Sequence, residues 1–196
     1  MTETPKARPP LLVVISAPSG AGKTTLCRRL LEDFRELRLS ISTTTRAPRG
    51  QEQHGREYYF TKREDFEAQI QAGEFAEWAL VHGNYYGTSK KVVAESLARG
   101  QSVLLDIDVQ GTESLKKSFG DRCVTIFIAP PSIEELEQRL RGRGTDSEES
   151  IRRRMENARG ELAQSHKFDH QLVNDEFEQT YSRLHAIVSR ALRGDR

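Results

Sequence analysis

The sequence predicts an α/β protein: a parallel β-sheet core flanked by helices, an inserted small lobe of mixed α+β texture, and a helical lid. Three observations predict it. The apolar run Leu11–Ser16 passes through a glycine-rich turn straight into a helical pattern. Three more short apolar runs alternate with helix-period segments, as strands buried on both faces do. Between roughly Ser40 and Gly87 the texture changes to short β-branched and aromatic stretches around a helix.

Each element follows from its pattern. Leu11–Ser16 reads as a buried strand, and Thr24–Phe34 as a helix with Leu26, Leu30, Leu31 and Phe34 at helical spacing. Ser40–Thr45, Glu57–Phe60 and Phe75–Val81 read as strands of the inserted lobe, with a helix at Arg63–Ala72. Val103–Asp108 is the second buried strand, and Val124–Ile128 the third, stopped by Pro130-Pro131. Ser132-Ile133-Glu134-Glu135 has the spacing of a capping box and starts a helix. The arginine-rich segment Arg139–Arg159 reads as a second, irregular insertion. His170–Val173 is a short strand and Glu176–Leu192 an amphipathic helix. The expected division is a loose leader (1–10), a core (11–41, 98–138 and 160–196), a lobe (42–97) and a lid (139–159).

Bulk properties narrow the function classes. A chain of 196 residues can bury a real core. Its formal charge of +1 argues against a nucleic-acid binder as a whole. No stretch has the apolar length of a membrane span, and Met1–Pro10 lacks the apolar centre of a secretion signal. The two cysteines, Cys27 and Cys123, fall on a helix and a strand start, with no metal-like or redox-like spacing. Both read as reduced core residues, which implies a cytoplasmic setting.

The chemistry concentrates first in Ala17-Pro18-Ser19-Gly20-Ala21-Gly22-Lys23-Thr24. A strand, a glycine turn and a helix start in this order make a phosphate-cradling loop. Glycines let backbone N–H groups close around phosphate oxygens, and the helix N-terminus adds positive potential. Lys23 can reach the outer phosphates and Thr24 can ligate Mg²⁺. Ala17 stands where the usual pattern has its first glycine, a position that only starts the turn. Asp106 closes a strand, where such proteins place the carboxylate that holds Mg²⁺ directly or through water. Asp108, two residues on, shares its face in an extended chain. At the other end, Arg46 and Arg49 flank Pro48 and can grip one phosphate together, with Tyr58 and Tyr86 as hydroxyl donors. Arg139, Arg141, Arg143, Arg152–Arg154 and Arg159 concentrate planar donors that can neutralise a transferring phosphoryl group. The same arginines can equally pair with Glu148, Glu149 and Glu156. Glu77 lies in Phe75–Val81 beside Trp78. A carboxylate there seeks donors, and guanine offers two in a row, N1–H and the exocyclic amine. Ser42 and Thr88 could donate to the guanine O6. On the residues alone, Glu77 defaults to a surface strand position.

Taken together, the blocks resemble guanylate kinases. The phosphate loop 16–24, Ser42–Arg49, Gly83–Thr88, Leu105–Gly111, Arg139–Thr145 and Val173-Asn174-Asp175 occur in that family's order and span nearly the whole chain after Pro10. The resemblance implies a P-loop kinase that transfers the γ-phosphoryl group of ATP to GMP or dGMP, with Mg²⁺, and so supplies GTP and dGTP precursors. It implies that Ala17–Thr24 and Asn174 serve ATP, with Asn174 near adenine. Arg46, Arg49, Tyr58 and Tyr86 would hold the GMP phosphate. Ser42, Glu77, Thr88 and Asp108 would serve the guanine side. Lys23, Arg46, Arg143 and Arg154 would support transfer, and Thr24 and Asp106 the metal. Two alternatives belong to other classes: a non-catalytic phosphopeptide-binding module of this fold, and a related kinase for another phosphorylated small molecule.

Overall fold

The computed structural model of the chain describes residues 9–81, 83–142 and 147–195. In chain order it holds β1 (Leu12–Ser16), α1 (Lys23–Asp33), β2 (Leu37–Leu39), β3 (Thr43–Thr44), β4 (Tyr59–Phe60) and α2 (Arg63–Gln71). There follow β5 (Phe75–Val81), β6 (Asn84–Ser89), α3 (Lys90–Ala98), β7 (Ser102–Asp106) and α4 (Val109–Phe119). The last third contains β8 (Cys123–Ala129), α5 (Ile133–Gly142), α6 (Glu148–Ala163), β9 (His170–Val173) and α7 (Phe177–Arg193).

Five strands form a parallel sheet in the order β2-β7-β1-β8-β9. Its central strand shows why the sequence reads as one unbroken apolar run. Leu11, Val13 and Ile15 face a core shared with Leu26 and Leu30 of α1 and Leu184 and Val188 of α7. Leu12 and Val14 face the opposite core, with Val93 of α3 and Leu115 of α4. Alternate residues therefore serve different faces, and both faces are covered. Truncating any one of the leucines or Ile15 to alanine costs about 2–5 kcal/mol.

Register places the functional edge. Ile15 lies opposite Asp106, and Ser16 opposite Phe127, so the chain leaves β1 and β7 on the same side of the sheet. That side is the carboxyl edge, where open α/β sheets bind ligands.

A second, four-stranded sheet has the order β4-β3-β6-β5. Glu77 of β5 pairs with Thr88 of β6, and Thr44 of β3 with Tyr86. One face carries Glu77, Ala79 and Tyr86. The other carries Tyr85, which stacks on the fully buried Phe66 of α2 at 5.1 Å between ring centroids. Gly87 is needed on that second face, because a Cβ there would sit 2.8–2.9 Å from the rings of Phe75 and Phe66.

The observed elements differ from expectation in several places. The expected strand 103–108 stops at Asp106, and Asp108 instead caps α4, accepting a hydrogen bond from the Gly111 N–H at 2.8 Å. A side chain that satisfies a helix end cannot also continue the ladder. Only Thr43–Thr44 of the stretch 40–45 and Tyr59–Phe60 of 57–60 pair as strands. The arginine-rich stretch is less irregular than its composition suggests. Leu136 and Leu140 of α5 pack on Ile151, Met155 and Ala158 of α6, giving these helices their own small core. The expected boundaries at 138/139 and 159/160 fall inside α5 and α6. Among the described residues no helix is long and apolar enough to cross a membrane.

Candidate active site

At the carboxyl edge of the parallel sheet, between that sheet, the second sheet and α6, lies a cleft of about 470 Å³. Its walls include Ala17, Pro18, Ser19, Gly20, Gly22, Lys23 and Thr24 from the glycine loop and α1. Ser42, Arg46, Arg49, Tyr58, Glu77 and Tyr86 come from the second sheet and its loops, Asp106 from the end of β7 and Asp108 from the N-cap of α4. Arg153, Arg154 and Glu161 reach it from α6. Most of the residues singled out from sequence thus share one cavity. Arg143 lies outside the described residues.

The glycine loop is held in shape by backbone. Gly20 and Gly22 have φ of +102° and +92°, which L side chains rarely adopt. A Cβ at Gly22 would also lie 2.4 Å from Asn174 Nδ2. That amide is buried and donates to the Ala21 carbonyl at 2.7 Å. Arg139 donates in turn to the Asn174 carbonyl through both Nη atoms at 3.2 Å. Asn174 was expected near adenine; its side-chain amide is engaged by the loop backbone, and it is not among the residues lining the cleft. α1 has no side-chain N-cap bond and no acidic residue in its first turn, so its positive end faces the cleft uncompensated.

Lys23 pairs with Asp106 and donates to the Ile107 carbonyl at 3.5 Å. Burial alone would lower its pKa, but Asp106 outweighs burial and leaves it above the ordinary value. Arg154 donates through Nη1 to Ser19 Oγ at 2.9 Å, linking α6 to the loop.

Arg46 sits at the far end, and its surroundings explain how a guanidinium can be buried. The fully buried Thr44 accepts the Arg46 N–H at 3.1 Å and donates to the Tyr85 carbonyl at 2.9 Å, fixing the backbone. The guanidinium donates to the Tyr86 hydroxyl at 3.2 Å, the Ala47 carbonyl at 2.8 Å and Glu52 at 3.0 Å, and lies 5.3 Å from the Tyr58 ring centre. Glu52, a cleft residue the sequence reading missed, also accepts the Arg49 N–H at 2.8 Å. Burial pushes its carboxyl up, but Arg46 and the Arg49 N–H prevail and hold it below its usual value. Its signal was the spacing: Glu52 follows Arg49 by three residues, one turn's reach.

Glu77 is not a surface strand residue. It is 5% exposed, whereas its neighbour Trp78 is 44% exposed. The alternation of β5 is therefore inverted, with charge inside and indole outside. Burial pushes the Glu77 carboxyl up to about 7, against the hydrogen bond it accepts from Thr88 Oγ1. Thr88 is wholly buried and donates its single proton to Glu77. Asp108 is raised by burial as well, and only partly offset by the Gly111 N–H.

Glu161 was also missed. It lines the cleft half-buried, and burial raises it to about 7, with Lys23 opposing and Asp108 adding to the rise. It lies seven residues after Arg154 on α6, two helical turns along the same face. By contrast, Arg141 is spent on Glu137 and on Glu148, which it joins across α5 and α6.

A parallel sheet whose central strand feeds a glycine loop and then an uncapped helix carrying lysine defines a P-loop nucleotide-binding protein. Comparison with known proteins narrows the class. The guanylate kinase family model matches residues 9–191. The chain is 54% identical to a guanylate kinase of Oleidesulfovibrio alaskensis over 92% of its own length and 87% of that protein. It is 51% identical to one of Myxococcus xanthus over 92% and 86%. A crystal structure of guanylate kinase from Anaplasma phagocytophilum superposes with a TM-score of 0.78 at 33% identity, covering 95% of this chain and 88% of that one. The chain belongs to the guanylate kinase family.

Proposed function

We infer that the cleft brings ATP and GMP together with their phosphates facing, the protein being an ATP:GMP phosphotransferase that yields ADP and GDP. The observation that carries the acceptor assignment is a buried carboxylate, Glu77, in the same cavity as the glycine loop. A buried carboxylate needs donors. Guanine supplies N1–H and an amine side by side. Adenine presents an acceptor at N1 and no amine at C2, so AMP would set an acceptor against Glu77 where guanine sets donors. Ser42 and Asp108 line the same region and complete the base side, with Thr88 acting through Glu77.

In the reaction, an oxygen of the GMP phosphate attacks the γ-phosphorus of ATP in line. The bond from that phosphorus to the β–γ bridging oxygen breaks, and ADP leaves with the oxygen. The nucleophile is already an anion, so no general base is needed. The chain contributes position and charge. Arg46 and Arg49, with Tyr58 and Tyr86, hold the acceptor phosphate. The loop from Ala17 to Gly22 and the start of α1 hold the donor phosphates, with Asn174 bracing the loop through the Ala21 carbonyl and remaining the family-implied neighbour of adenine. Lys23, Arg46, Arg154 and Arg143 meet the charge that develops during transfer.

Thr24 and Asp106 both line the cleft and offer the hard oxygen donors that suit Mg²⁺, so they would hold it, with Asp106 shared with Lys23. When bound it neutralises phosphate charge. The family resemblance and the cleft support an acceptor lobe built on the second sheet and a lid built on the α5–α6 pair, which packs as one unit and so does not divide at 138/139 or 159/160. Free, buried Cys27 and Cys123 favour a cytoplasmic setting.

The intact glycine loop, Lys23 and Arg154 favour phosphotransfer over a phosphopeptide-binding module. The test is ADP release from Mg·ATP with GMP, dGMP, AMP, UMP and dTMP. GMP and dGMP should be strongly preferred. Equal use of AMP would overturn the role given to Glu77, and no release with any acceptor would favour the binding module.

A further inference from the structure

Gly111 is the third residue of α4, at a backbone angle any residue can adopt. Glycine is among the poorest helix formers, so local propensity argues for alanine there. What the missing side chain leaves room for is visible across the cleft wall. A Cβ on Gly111 would lie 2.2 Å from Glu77 Oε2 and 2.9 Å from Glu77 Cδ. Neither distance is possible between non-bonded atoms. The carboxylate cannot easily retreat, because its other oxygen is held by Thr88 and the residue is locked in β5 opposite Thr88. The same helix turn is fixed from below by Asp108, which accepts the Gly111 N–H. Two strands and a helix N-terminus thus close on one carboxylate, and only a residue without Cβ completes the enclosure.

We propose that Gly111 is a positioning residue for acceptor specificity, its bare Cα forming the seat that aims the Glu77 carboxylate at the base. This rests on the reading of Glu77 as the guanine-recognising group. It predicts a separation that a merely structural glycine would not produce. Alanine at 111 suits the helix yet displaces a group that touches only the acceptor.

The test is a cycle of Gly111→Ala, Glu77→Asp and the double variant. For each, steady-state kinetics are measured with GMP and with AMP, together with the melting temperature. Gly111→Ala should raise the KM for GMP at least tenfold and cut the GMP-over-AMP preference by a similar factor. Its KM for ATP should stay within about twofold. Glu77→Asp shortens the side chain by one methylene and makes room for the new methyl. It should therefore cost at least threefold less in kcat/KM for GMP in the Gly111→Ala background than in the wild type. Unchanged KM for GMP, equal rises in both KM values, or strictly additive effects would overturn the proposal. If Gly111→Ala fails to fold, recovery of folding in the double variant supports it and continued failure overturns it. A wild-type protein that ignores GMP would sink the Glu77 reading itself. The melting-temperature cycle would then still show whether residues 77 and 111 compete for one space.

Discussion

The two ends of the cleft are built on different principles. The donor end is made of backbone: two left-handed glycines, an uncapped helix start and one lysine, all within eight residues of sequence. The acceptor end is made of side chains that converge from β3, β5, β6 and the start of α4. A backbone site tolerates change in its neighbours because its donors are fixed by φ and ψ. A side-chain site depends on every partner that orients it, as Glu77 depends on Thr88 and Arg46 on Thr44, Tyr86 and Glu52. Damage at the donor end should appear in turnover or in the KM for ATP, and damage at the acceptor end in discrimination.

The largest effect that could break this contrast is expected at Lys23. Lys23→Ala should lower kcat by about 10³-fold with little change in the KM for GMP. A dominant rise in the GMP KM would show that the two ends are not separable. Glu77→Gln should come next, with kcat/KM for GMP falling about 10²-fold while the KM for ATP moves less than about twofold.

The same variant sharpens the electrostatic side. The Glu77 carboxyl is raised from 4.5 to about 7 in the folded protein. The folded state therefore holds this proton more tightly than the unfolded chain. The corresponding stability is full below the unfolded value and is lost as pH rises through about 7. Since glutamine cannot ionise, the melting temperature of Glu77→Gln relative to wild type should climb between about pH 5 and pH 8. A flat difference would mean that the carboxylate is not desolvated. Smaller again is Asn174→Ala, which strips the partner from the Ala21 carbonyl. It should destabilise by about 1–3 kcal/mol and raise the KM for ATP more than that for GMP. Arg141→Ala should change stability by less than about 1 kcal/mol and leave turnover intact, because its partners are exposed surface carboxylates.

The contrast also explains what the sequence could disclose. The parallel sheet, its strands and the glycine loop were legible because their causes are local: apolar runs, helical spacing and glycines next to a lysine. β5 and β9 were recovered with their full ranges, 75–81 and 170–173. The cap at Asp108 was misread as strand because a two-residue period and a strand-to-cap turn look alike over so short a stretch. The burial of Glu77 was not legible from pattern. It depends on Thr88 and Gly111, eleven and thirty-four residues away, and only the family resemblance pointed to it. Glu52 and Glu161 were passed over because an acidic residue near arginines reads as a surface pair until its burial is known.

The inverted alternation of β5 carries a practical consequence. Trp78 is the chain's sole tryptophan, and it sits in solvent contact on the residue next to the buried carboxylate, edge-on to Tyr85. The protein thus bears a single indole, on the strand that carries Glu77. Its emission offers a readout of β5 on an unlabelled sample, with no second indole to obscure the signal.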